Sequence, residues 1–75
     1  MIRVGVVGYG YWGPNLVRNF MAQDCSDVSV VSDLDPKRLA RVSALYPTVR
    51  TTTDVNDLLN DPSVDAVVVA TRRGS

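Results

Sequence analysis

Ile2-Arg3-Val4-Gly5-Val6-Val7-Gly8-Tyr9-Gly10-Tyr11-Trp12-Gly13, read together with Asp33 twenty residues further on, decides the fold of this chain. The first six residues are apolar nearly throughout and rich in valine, the pattern of a strand covered on both faces. Gly8, Gly10 and Gly13 then stand at G-x-G-x-x-G spacing. Pro14 follows, a residue that a helix accepts in its first turn. Strand, glycine turn and helix in this order make a cradle for a pyrophosphate. The first glycine allows a tight turn, the second lets the backbone approach the anion, and the third lets the helix pack closely. The helix start adds unpaired N–H groups and partial positive charge. An acid one βα unit later can accept hydrogen bonds from ribose hydroxyls. Two blander readings stand beside this one. The glycines can serve a purely structural turn, or a methyltransferase-type nucleoside pocket, whose glycines are usually spaced more densely.

Outward from this stretch, strands and helices alternate. Leu16, Val17, Phe20 and Met21 repeat at helical spacing. Asp24 to Asp27 is a polar connection, and Val28 to Val31 is predicted as a second strand. Asp35-Pro36 has the form of a helix cap followed by proline in the first turn. Leu39, Val42, Leu45 and Tyr46 give that helix its predicted apolar stripe, and Pro47 ends it. Val49 to Thr52 reads as a short edge strand. Asp54 opens a third helix with Leu58 and Leu59 predicted to face inward. Thr53, Asp54 and Asp57 read as turn and capping residues rather than catalytic carboxylates. Asp65 to Ala70 is predicted as a last buried strand. The order β-α-β-α-β-α-β implies an α/β fold with a parallel sheet and right-handed crossovers.

The bulk properties exclude several functions. Seventy-five residues make at most one small domain, burying about 60–65% of its unfolded surface. Eight basic and eight acidic residues cancel, which speaks against a nucleic-acid backbone binder. The sequence has no histidine and a lone cysteine, Cys25. It therefore offers neither an internal disulfide nor a His/Cys metal site. No segment approaches the ~20 apolar residues of a membrane span, and the first apolar run is broken by glycines, unlike a signal peptide. A cytoplasmic setting is the expectation.

Among the candidate site residues, Asp33 is expected to be free to meet a ribose, because Asp35 already fills the capping role. A carboxylate there repels a 2′-phosphate and so favours NAD over NADP. Arg38 qualifies this, since it can pair with a phosphate, although surface solvation is the simpler expectation. Tyr9, Tyr11 and Trp12 interleave the glycines. They either wall the cofactor or shield its phosphates, or they pack against parts of the domain that this sequence does not include, and the sequence does not separate the two.

The stretches Val7 to Asn15, Asp33-Leu34-Asp35-Pro36 and Leu58 to Thr71 together resemble the Gfo/Idh/MocA oxidoreductases, the relatives of glucose–fructose oxidoreductase and inositol dehydrogenase. The Tyr-Trp-Gly-Pro-Asn variant at 11–15 looks most like members acting on nucleotide sugars or cyclic polyols. The resemblance implies a partial Rossmann fold over residues 1–71, with strand order 3-2-1-4 and helices on both faces. It implies hydride transfer between a sugar carbon and a nicotinamide. It carries over as cofactor residues Gly8, Gly10, Gly13 and Asp33, with Ala70 and Thr71 at the end of the fourth strand. The family's lysine in a Glu-Lys-Pro segment and its aspartate–histidine pair have no counterpart in this sequence, so the chain alone is expected to be inactive. At Arg72 the pattern departs from the family, and residues 72–75 read as an appended tail. Without a fifth strand, Val67, Val68 and Val69 are expected to form an open apolar edge that pairs two copies into a homodimer through residues 66–70. The competing reading of function is a self-assembling fragment of this kind that binds no cofactor.

Overall fold

A computed structural model describes residues 1–10 and 13–70. Tyr11, Trp12, Thr71 and the 72–75 tail, on which expectations were placed, lie outside the described residues. The elements are β1 (Ile2–Val7), α1 (Gly13–Ala22), β2 (Ser26–Ser32), α2 (Pro36–Leu45), β3 (Arg50–Thr52), α3 (Val55–Leu59) and β4 (Ala66–Val69). All strand pairings are parallel, and the sheet order is β3-β2-β1-β4. The predicted α/β fold and strand order both hold. Among the described residues no helix is long and apolar enough to cross a membrane.

The two faces of the sheet are covered by different helices. Val4 and Val6 of β1 cluster with Val17 of α1 and with Leu39 and Val42 of α2. Gly5, between the two valines, faces the opposite way, and a Cβ there would lie 2.9 Å from Cδ2 of Leu58 in α3. Strand side chains alternate between faces, so helices cover both sides, as predicted. A bulge in β2 adjusts this alternation. Val4 pairs with Val28 but Gly5 pairs with Val30, leaving Ser29 as the extra residue. Val28 and Val31 thereby join the α1–α2 core, while Val30 shares the face of Gly5. Each fully buried valine or leucine stabilises the fold by roughly 1.5–3 kcal/mol.

Four local expectations need correction. β2 starts at Ser26, two residues early, because the hydroxyl of Ser26 donates to the Phe20 carbonyl at 2.8 Å and so permits a polar residue to be buried. Leu45 is exposed rather than part of the α2 stripe. The N–H of Tyr46 closes the helix on the Val42 carbonyl, and Val49 is buried in the core instead. Leu59 is 56% exposed while Leu58 is fully buried. Adjacent residues of a five-residue helix point about 100° apart, and only one can face the sheet. Finally, β4 lies at the sheet edge as expected, but its four residues are largely exposed rather than buried. Val67 and Val69 remain 42% and 66% exposed on the α3 side, beyond the reach of so short a helix.

The predicted caps are in place. Asp35 accepts from the Lys37 N–H and Asp54 from the Asn56 N–H, both at 2.9 Å. Each such cap typically contributes about 1 kcal/mol.

Candidate functional site

The carboxyl ends of β1, β2 and β4 meet at one edge of the sheet, the place where open parallel sheets bind ligands. Gly8 leaves β1 with φ +93°, a conformation costly to any residue with a Cβ. Its N–H donates to the Ser32 carbonyl at 2.6 Å, and the Ala70 N–H donates to the Val7 carbonyl at 2.7 Å. Gly8 and Ala70, both expected at the site, thus flank the β1 end. Gly13 opens α1 against the same turn. A Cβ on it would stand 2.7 Å from the Gly8 carbonyl oxygen and 3.3 Å from Cβ of Tyr9. The close packing expected of this glycine is observed.

Gly10 differs from the other two. Among the described residues, the nearest atoms to a Cβ there belong to the guanidinium of Arg38, 3.1 Å away at Nη1. That nearest neighbour is the flexible end of a side chain, whereas the nearest to a Cβ on Gly13 is backbone. The turn therefore leaves room for an anion to approach the main chain, and the first turn of α1 carries no acid to oppose it. These residues fit a pyrophosphate.

Asp33 lies at this edge, as expected, but it is not free. Its Oδ2 accepts the Tyr9 N–H at 2.7 Å and its Oδ1 accepts the Asp35 N–H at 2.9 Å. The residue is only 8% exposed. A carboxylate oxygen has two acceptor sites, so one site on each oxygen remains for a ribose hydroxyl. Arg38 is not simply solvated either. It stands 3.7 Å from the Asp33 carboxylate and 3.9 Å from that of Asp35. The guanidinium is half-exposed and the pairing loose, so its contribution to stability is small. Its position between Asp33 and the second glycine is the feature that sequence spacing did not reveal.

Tyr9 packs inside the described fold. It is 4% exposed and belongs to the α1–α2 core. Burial pushes its phenol up from the usual tyrosine range. The nearby Tyr46 adds to this, and the Arg41 charge partly offsets it. Tyr11 and Trp12 lie outside the described residues, as does Thr71. Gly5 was not anticipated as important, although a lone glycine within a valine strand is itself a sign of close approach.

Comparison with known proteins agrees with this geometry. The chain is 46% identical over 70 residues to inositol 2-dehydrogenase 2 of Paenarthrobacter aurescens, covering 92% of this chain and 20% of that protein. The crystal structure of a probable dehydrogenase from Thermotoga maritima superposes with a TM-score of 0.87 at 30% identity, over 95% of this chain and 21% of that one. GenD2 from gentamicin A biosynthesis, crystallised in complex with NAD, gives 0.85 at 31% identity, over 93% and 20% of the two chains. The chain therefore spans about a fifth of the length of these relatives. Residues 2–75 match the Gfo/Idh/MocA family, described as an oxidoreductase family with an NAD-binding Rossmann fold. A glycine turn at the carboxyl edge of a 3-2-1-4 parallel sheet, an acid at the end of the second strand and a family match over nearly every residue lead to one conclusion: the chain belongs to the Gfo/Idh/MocA oxidoreductases.

Proposed function

We propose that this chain holds the ADP portion of NAD and is the cofactor-binding segment of an oxidoreductase acting on the CH–OH group of a sugar or cyclic polyol. The observation that carries this is the Gly10 turn, whose nearest described neighbour on the Cβ side is the movable guanidinium of Arg38. Gly8, Gly10 and Gly13 would cradle the pyrophosphate at the start of α1. The spare acceptor sites of Asp33 would take the ribose hydroxyls, with Ala70 on the other side of the β1 end, after β4. Thr71, Tyr11 and Trp12 complete the proposed set. When bound, NAD supplies the hydride acceptor.

The polyol assignment is supported by the names of the curated relatives, inositol 2-dehydrogenases among them. Proton removal from a hydroxyl calls for a general base near the reacting carbon. The sequence has no histidine, and the described site has no lysine. The chain by itself is therefore proposed to bind without turnover. The nearly buried Asp33 carboxylate disfavours a 2′-phosphate. Arg38 beside it tempers that repulsion, so the NAD preference should be modest.

With half of a dinucleotide cleft, affinity should be about millimolar, or about 4 kcal/mol. Amide NMR titration tests this. NAD should shift the Gly8, Gly10 and Gly13 signals at lower concentration than NADP does. A folded chain whose spectrum ignores both cofactors would overturn the reading.

A second reading rests on the exposed Val67 and Val69 at the β4 edge. It is a homodimer joined through residues 66–70, which would cover this apolar surface and pair the open backbone edge.

A further inference from the structure

The hydrogen bonds that end the β1–β2 ladder assign Asp33 a second task. The Gly8 N–H donates to the Ser32 carbonyl at 2.6 Å, the last main-chain bond between the two strand ends. Ser32 is the last residue of β2, so the strand offers no further carbonyl. The Asp33 carboxylate takes over, accepting the very next N–H, that of Tyr9, at 2.7 Å. Its other oxygen accepts the N–H of Asp35 at 2.9 Å, which anchors the loop entering α2. Asp33 in turn is held by its own N–H, donated to the Thr52 carbonyl at 3.1 Å. One nearly buried carboxylate thus ties the glycine turn of β1 to the β2–α2 loop.

We propose that Asp33 is a positioning residue for the phosphate cradle, in addition to any contact it makes with a ribose. The inference rests on the cofactor reading given above. Its physical basis is that a charged acceptor within a buried hydrogen bond is costly to lose, since the N–H it leaves behind is desolvated and unpaired. The Tyr9 N–H is such a group, one residue from Gly8 and one from Gly10. Without its acceptor the turn is tied to β2 only through Gly8, and the N–H groups beyond it that are meant for a phosphate lose their alignment. Asparagine at this position offers one acceptor oxygen, and its amide must point an N–H at one of the two donors. It therefore breaks the tie while nearly keeping the shape.

Two measurements test this. In the unliganded chain, the Tyr9 amide should be protected from hydrogen exchange, and Asp33→Asn should remove that protection. A Tyr9 amide exchanging at the free-peptide rate in the folded wild type overturns the proposal without any variant. The second measurement titrates wild type and Asp33→Asn with ADP and with 2′,3′-dideoxy-ADP, whose sugar has no hydroxyl for a carboxylate to meet. If Asp33 positions the turn, Asp33→Asn weakens the dideoxy ligand by about tenfold, the effect of losing one charge-assisted hydrogen bond. If Asp33 is a ribose clamp alone, only ADP is weakened, and the proposal is wrong. Failure of the wild type to bind either ligand sinks the cofactor reading instead, and the Tyr9 amide then decides the positioning role by itself.

Discussion

A Cβ on Gly13 would lie 2.7 Å from the carbonyl oxygen of Gly8, so the start of α1 and the turn that leaves β1 touch through their backbones. Real Cβ atoms do not approach an oxygen so closely. Gly13→Ala must therefore push the helix away from the strand, and the gain in helix propensity of about 1 kcal/mol offsets only part of the strain. The expected net loss is about 1–2 kcal/mol, read as a lower urea midpoint with an unchanged slope. A variant as stable as wild type would show that the helix start can shift without cost.

Gly10→Ala is expected to behave in the opposite way. Among the described residues its methyl group would first meet the end of the Arg38 side chain, which is half-exposed and can swing aside. Stability should change by less than about 0.5 kcal/mol. The methyl would nevertheless occupy the space through which an anion reaches the turn, and NAD binding should fall at least about tenfold. Denaturation and NMR titration on the same sample separate the two effects. Unimpaired binding by the folded variant would remove Gly10 from the cradle.

These contrasts mark where the sequence was legible. Gly8 and Gly13 could be read from spacing because their roles are backbone geometry, which a motif encodes directly. The caps at Asp35 and Asp54 were local for the same reason. Asp33 was placed at the right edge, yet its hydrogen bond to Tyr9 joins residues 24 apart in sequence, and no local rule anticipates it. The Arg38 position depends likewise on how α2 packs over the turn. Leu58 and Leu59 look alike in sequence, and only the fit of Leu58 against Gly5 shows which one faces the sheet. The Ser29 bulge was invisible because a valine-rich strand buried on both faces carries no alternation to betray an extra residue.

Acid should weaken the junction between α3 and β4. The Asp61 carboxylate accepts the Ser63 hydroxyl at 2.7 Å and the Ser63 N–H at 2.8 Å, and it pairs with Arg50. The Ser63 hydroxyl and then the Ser63 N–H hold its carboxyl below the ordinary aspartate range, desolvation opposes them in part, and the Arg50 charge adds a lesser lowering. A carboxyl depressed in the folded state binds protons more tightly when unfolded. Its contribution is therefore complete above about pH 4 and is lost as pH falls further. The stability gap between wild type and Asp61→Asn should hold steady above about pH 4 and narrow from there to about pH 2. A gap that stays constant across that range would remove Asp61 from the acid response.

The β4 edge supplies the last test. Val68 is half-buried and packs on the α1–α2 core, so a charge there would disturb the fold itself. Val69 is 66% exposed on the opposite face and is the better probe of association. In the proposed homodimer the two β4 edges, or the faces around Val67 and Val69, meet across a two-fold axis. Val69→Lys would place two ammonium groups near that axis, where each repels the other and neither is easily solvated. The fold of a single chain should tolerate the change, because the Val69 side chain already faces water. Sedimentation equilibrium at tens of micromolar should therefore give wild type about twice the 8.2 kDa chain mass, and Val69→Lys the chain mass itself with unchanged far-UV dichroism. A folded wild type that sediments at 8.2 kDa rules the dimer out. A variant that remains dimeric moves the interface away from this edge.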